Sequence, residues 1–210
     1  MSAFPWDLFV SAIVTLLVVI DPPGAAPIFA SLTTGATNEQ RRAMAWRSVL
    51  VAAAILFGFA AVGEPFLRAL GITLDAFRIA GGIMLFLIAV DMVFETRTKR
   101  REERAKGVEA EDISIFPMAM PMIAGPGSIA AVMLLSARAQ GPLPQFAVYL
   151  ALFIVLALTL IALLAAGPIM RRLGTKIEAM ITRLLGVILA ALAAQIVIDG
   201  LIGAFTSGGK

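Results

Sequence analysis

The sequence predicts an all-α membrane protein: six transmembrane helices as two inverted three-helix repeats, with spans one and four broken at the midplane. Three observations lead there. Of the 210 residues, 60% are hydrophobic and only 15% charged, against about half and a quarter in a soluble domain, so lipid must solvate most of the surface. Six segments are long and apolar enough to cross a bilayer, which takes about 20 residues. A constant offset of 103 residues superimposes landmarks of the two halves.

In chain order the expected spans are 4–33, 46–67, 74–94, 113–137, 146–166 and 180–205. The first run lacks a basic flank and a small-residue cleavage site, so a retained span is expected instead of a removed signal peptide. The long polar stretch 95–112 reads as a charged connector. The chain then forms one membrane domain, 1–210, with repeats at 1–94 and 113–210. Thirteen basic residues fall on one side of this arrangement, among them Arg41, Arg42, Arg47, Arg171 and Arg172, and four on the other. Basic residues near span ends favour the cytoplasm, which puts 95–112 inside and both termini outside. The net charge of +3 reads as cytoplasmic anchoring, not nucleic-acid binding. The basic part of 95–112 also suits contact with anionic lipid.

The offset of 103 sets Pro23-Gly24 on Pro126-Gly127 and residues 64–71 on 167–174. It matches Pro65 with Pro168, Arg68 with Arg171 and Gly71 with Gly174. Matches of Pro, Gly and Arg at one offset mean more than matches of Leu or Ala. Three spans per half is an odd number, so the second half enters the membrane inverted, a device of many secondary transporters.

Asp21-Pro22-Pro23-Gly24 lies near the centre of the first span. Two prolines remove two donors and clash with the turn before them. The helix is expected to restart after this point, with Pro27 in its first turn. The fourth span carries Gly125-Pro126-Gly127-Ser128 at the matching place, loosened by Pro117 and Pro121. Irregular backbone at membrane depth belongs where it lines a cavity, so the two breaks point to one midplane site. Its expected residues are Asp21, Pro22, Pro23, Gly24 and Ala25 from the first break, and Gly125, Pro126, Gly127 and Ser128 from the second. Each restarted half-helix is expected to offer free N–H groups to an anionic group, with Ser128 capping or donating. Asp21 suits an ammonium, a proton or a sodium ion, and equally an N-cap with no ligand.

Other intramembrane polar groups read as structural or coupling residues. Glu64 and Arg78 are expected to pair near the outer ends of spans two and three, and Asp91 and Arg183 near the inner ends of spans three and six. Gln195 and Asp199 face either the pathway or polar neighbours. Gly186, Ala190 and Ala194 form a stripe that suits close helix packing. The chain has no Cys and no His, which excludes disulfides, thiolate or imidazole metal sites and a Ser-His nucleophile. No cofactor, no metal and no catalytic residue is expected.

The Asp21-Pro22-Pro23-Gly24 break, the run from Pro117 to Ser128 and the six-span length together resemble the MarC family of bacterial integral membrane proteins, over essentially the whole chain. The resemblance implies this fold and the bacterial inner membrane. Some members are regarded as transporters of small neutral amino acids, so it also implies transport. The function expected is a secondary transporter or exporter of a small zwitterion such as glycine or alanine, with alternating access around the midplane site. A proton or sodium ion is the possible coupling partner. A passive channel, an intramembrane enzyme and a membrane protein without transport activity are the competing readings.

Overall fold

The computed structural model describes residues 4–94 and 112–207, with the side chains of 167–179 outside the description. Most of the expected connector and the second landmark, 167–174, therefore lie outside the described residues or side chains. Among the described residues all regular structure is helical. The helices are α1 (Trp6–Ile20), α2 (Pro22–Leu32), α3 (Asn38–Ala69), α4 (Leu74–Val93), α5 (Pro126–Arg138), α6 (Pro142–Leu164) and α7 (Ala166–Ser207). Five stretches are long and apolar enough to cross a membrane, and a sixth if the pair Ser114–Ile123 and Pro126–Arg138, bent by 53°, counts as one span.

Several boundaries differ from the sequence expectation, each for a local reason. α3 starts at Asn38 because Thr37 and Gln40 close a capping box: the Gln40 N–H donates to the Thr37 hydroxyl at 3.2 Å, and the Thr37 N–H to Gln40 Oε1 at 2.9 Å. Two otherwise orphaned donors are satisfied at once. α4 starts behind Thr73, whose hydroxyl accepts from the Ala76 N–H at 3.2 Å. The expected loop between spans five and six is helical, because α7 runs unbroken from Ala166 to Ser207. Ser114–Ile123 is wound irregularly. Phe116 and Met120 are extended, each before a cis proline, and two hydrogen bonds span five residues, from the N–H of Met118 to the Ile113 carbonyl and of Ala124 to Ala119.

Large apolar side chains such as Leu50, Phe86, Leu87, Phe153 and Ile202 are exposed, as a lipid-facing surface requires. Inside, the packing is reciprocal. α1 and α2 lie on α6, while Ser114–Ile123 and α5 lie on α3; α2 touches α7, and α5 touches α4; α4 and α7 form the most extensive pair. Small residues allow that last contact. A Cβ on Gly82 would lie 2.7 Å from Val197 Cγ2, and one on Gly186 would lie 2.9 Å from Met92 Cβ. The packing stripe therefore includes Gly186, as expected, but continues through buried Ala193, whereas Ala194 is exposed.

Candidate functional site

Asp21 divides the 27-residue stretch Trp6–Leu32 into pieces of 15 and 11 residues. Its backbone is left-handed, φ 58° and ψ 65°, a conformation that Asp tolerates better than most residues. The hydrogen-bond ladder passes through it: its N–H donates to the Leu17 carbonyl, and its own carbonyl accepts from Ala25, both at 3.0 Å. Its carboxylate turns back and accepts from the Gly24 N–H at 3.1 Å, which makes it the N-cap of α2. A Cβ on Gly24 would lie 2.8 Å from the Asp21 Cγ, so the close approach of the carboxylate requires glycine there.

This geometry corrects one sequence expectation. α2 restarts at Pro22, directly after Asp21, because proline suits the first positions of a helix, where no donor is needed. Pro22 and Pro23 lack an N–H, and that of Gly24 is taken by Asp21. The first turn of α2 thus offers no free N–H group to an anion. The consequence falls on the carbonyls. Those of Val18 and Ile20 lose their intrahelical donors, and so does that of Pro23, because Pro27 stands in the second turn of α2 and not in its first. The end of α1 is therefore a concentration of negative character: backbone carbonyls, the negative end of a helix dipole and a buried carboxylate, with Asp21 only 2% exposed.

The second interruption has the opposite character. α5 begins with Gly125 as N-cap and has no side-chain cap. Pro126 lacks an N–H, which leaves those of Gly127 and Ser128 in an uncapped first turn, at the positive end of the dipole. Ser128 is the third residue of α5 and buried, so it does not cap the helix as expected. A Cβ on Gly125 would run into the Pro121 carbonyl oxygen, and one on Gly127 into Ile88 of α4. The same position on Gly127 would lie 3.5 Å from Val19 Cγ1. Hence the start of α5 stands within van der Waals reach of the end of α1, and the two interruptions meet. Around them Pro22, Gly24, Ala25, Gly125 and Gly127 are buried, Pro23 is half-buried and Pro126 is exposed.

Of the remaining candidates, one expected pair is not formed. Glu64 and Arg78 do not pair. Glu64 binds Arg68 at 2.5 Å, one turn along α3, and Arg78 binds Asp75 at 2.7 Å within α4. Neighbours one turn apart on a helix meet without ordering a second element. Asp91 is half-buried near the end of α4, and Arg183 is exposed on α7. The close contact of Gly186 with Met92 brings these two turns to one level. Gln195 is exposed, and its side-chain amide donates to Asp199 Oδ1 at 2.7 Å. Nothing in the local pattern signals that Arg138, 61 residues before Asp199, donates to Asp199 Oδ2 at 2.7 Å.

Two openings flank the meeting point of the interruptions. Beyond the end of α2 lies an open vestibule of about 650 Å³, lined by Leu32, Thr34, Gln40, Arg47 and Asp112 among others. Arg47 and Asp112 are paired there at 2.8 Å. The hydroxyl and N–H of Ser114 both donate to Asp112. They hold its carboxyl below the ordinary carboxylate value, with Arg47 adding a smaller effect. Towards the end of α5 lies a cavity of about 40 Å³, lined by Ser11, Thr15, Ala131, Arg138 and Gln195 among others, and where α3 turns into α4 lies a pocket of about 430 Å³ lined by Glu64, Arg68 and Thr73 among others.

Residues 6–205 match the family model described as MarC family integral membrane protein. The chain belongs to the MarC family. Among its relatives, the UPF0056 membrane protein MJ1677 of Methanocaldococcus jannaschii is 40% identical, over 93% of this chain and 97% of that protein. The UPF0056 membrane protein YvbG of Bacillus subtilis is 35% identical over 95% and 97%. The UPF0056 inner membrane protein YhgN of Escherichia coli is 35% identical over 91% and 95%. No solved structure matches the chain. With its apolar helices, family membership makes this MarC chain an integral membrane protein in contact with the lipid bilayer.

Proposed function

We propose that this MarC-family chain is a secondary transporter of a small zwitterionic solute, a neutral amino acid of the size of glycine or alanine, bound where the two interruptions meet. The observation that carries the reading is the opposite polarity of the two ends. The end of α1, with Asp21 and the carbonyls of Val18 and Ile20, suits an ammonium group. The Gly127 and Ser128 N–H groups of α5 suit a carboxylate. A zwitterion joins a positive and a negative group within a few ångströms, and Val19 at van der Waals range of Gly127 sets the two ends at that scale. The small residues Gly24, Ala25, Gly125 and Gly127 favour a solute of few atoms.

The reciprocal packing supports the inverted repeat: each interrupted span lies on the second helix of the other half, and the third helices pack on each other. A half-turn about an axis in the membrane plane produces that exchange. The two halves then rock around the shared site, and the basic asymmetry supports both termini lying outside. A proton or sodium ion bound at Asp21 is the coupling partner in this scheme. No catalytic step is assigned.

The test is counterflow of labelled glycine and alanine in proteoliposomes, with and without imposed proton and sodium gradients. Trans-stimulation is expected. Asp21→Asn keeps a cap, since Asn caps about as well as Asp, but removes the charge, so it should abolish gradient-driven transport while the protein still folds. Wild-type gradient dependence in Asp21→Asn would remove Asp21 from the site, and uptake without trans-stimulation would identify a channel.

A further inference from the structure

The two routes to the meeting point of the interruptions are unequal. One end of the bundle holds the open vestibule of about 650 Å³ beyond α2. At the other end the space between α1, α5 and α7 narrows to a cavity of about 40 Å³, and a separate pocket of about 430 Å³ lies apart from it where α3 turns into α4. That small cavity lies on the direct line to the proposed site. Thr15 on its wall is one turn before Val19, the residue that reaches Gly127, and Ala131 is one turn after Gly127 and Ser128. Ser11 lies a turn further out on α1, and Leu135 and Arg138 lie further out on α5. Offset by 103 residues, Leu32 of the vestibule corresponds to Leu135 of the cavity.

A charged cluster bounds the shut end. Asp199 uses both carboxylate oxygens, one for the Arg138 guanidinium and one for the Gln195 amide, each at 2.7 Å. Arg138 stands in the last turn of α5, where a cation also complements the helix dipole. Arg138 and Gln195 line the cavity, and the side chains of Arg138 and Asp199 are each about one-third exposed. The pair ties α5, the helix that carries the proposed carboxylate donors, to α7. Such a pair is not fully buried, since both side chains are already partly exposed. An ion pair of this exposure is weak enough to break in a transport cycle.

We propose that Arg138, Asp199 and Gln195 form the gate on the termini side of the bundle, and that the cavity beneath it is the closed entrance to the solute site. The proposal rests on the transport reading above, but its test does not need a solute. With no native cysteine in the chain, Thr15→Cys places one thiol under the gate. Intact cells are treated with a membrane-impermeant maleimide and the labelling rate is measured. Labelling should be slow with the gate intact. In Asp199→Asn, and separately in Arg138→Gln, it should rise about ten-fold or more, the factor that about 1.4 kcal/mol in the closed–open equilibrium produces. Exchanging the charges with Arg138→Asp and Asp199→Arg together should restore slow labelling, which loss of folding could not do.

Unchanged rates in both single variants would overturn the gate, as would labelling of Thr15→Cys only from the cytoplasmic side. Gated labelling in a protein that shows no counterflow of glycine or alanine would keep the gate and discard the proposed solute. Counterflow with ungated labelling would do the reverse.

Discussion

Gly24→Ala should destabilise this protein, although the position is helical and the same change in an ordinary helix is favourable by roughly 0.5–1 kcal/mol. The sign is set by Asp21. An added Cβ would lie 2.8 Å from the Asp21 Cγ and 3.0 Å from Oδ1, so the carboxylate must swing away and give up the Gly24 N–H. Loss of an N-cap costs about 0.5–2 kcal/mol, and a buried polar group left without its donor costs about 1–3 kcal/mol. These terms exceed the gain in propensity. Asp21→Gly supplies the control. Glycine takes a φ of 58° without strain, replaces a capping residue at a cost of a few tenths of a kcal/mol, and removes the obstructing carboxylate. In that background Gly24→Ala should become stabilising. The four proteins form a double-mutant cycle with an expected coupling of about 2 kcal/mol, within the range of residues in direct contact. Thermal unfolding in detergent reads it, since about 1 kcal/mol moves the midpoint of a chain this long by roughly 2–4 °C. Equal effects of Gly24→Ala in both backgrounds would refute the account of the cap.

Two further predictions follow from packing and charge. Gly82→Ala should cost about 1–3 kcal/mol through overpacking, because its Cβ would lie 2.7 Å from Val197 Cγ2 and 3.0 Å from the Ala193 carbonyl. Gly58→Ala, which meets nothing within 4 Å, should be neutral or stabilising in the same melting assay. Asp112 is held below its ordinary value of 3.8, first by Ser114. Its stabilising contribution is thus complete above that value and disappears as the pH falls through the lower folded-state value. Ser114→Ala should accordingly melt below wild type at neutral pH, with the gap narrowing as the pH falls below 3.8 and the carboxylate protonates in both proteins. A gap that persists unchanged in acid would show that Ser114 acts through packing alone.

The spans were legible because length and hydropathy are properties of the chain itself, and the interruptions because Pro and Gly act on their own backbone. Asp21 could be read as a cap or as a ligand residue, and the structure shows the cap: its carboxylate accepts the Gly24 N–H at the start of α2. The loss of free donors in α2 was also within reach, since the residues after Asp21 are two prolines and a glycine. What hid it was the assumption that the helix restarts only after them. The capping box from Thr37 to Gln40 was a local signal of the same kind, and it sets the start of α3. Pairings between elements were not legible. Glu64 and Arg78 lie at adjoining span ends, yet partners one turn away on each helix are nearer. Arg138 and Asp199 meet only because α5 and α7 are folded against each other.

The difference between the two helix restarts bears on why an inverted repeat would keep unequal sequences at its centre. Two equal uncapped helix ends would create two sites for anions, and two equal carboxylate caps two sites for cations. Filling one restart with Pro22, Pro23 and an Asp21-bound Gly24, while leaving the other with Gly127 and Ser128 donors, turns a near-symmetric pair into a dipolar one. Position 124, which the offset of 103 residues sets on Asp21, is alanine and carries no carboxylate. Pro126 removes only one donor at the second restart, where Pro22 and Pro23 remove two at the first. The substitution that would make the halves alike is therefore Ala124→Asp. It would put a second acid beside the only uncapped helix start at the site, where it would compete with a solute carboxylate for the same N–H groups.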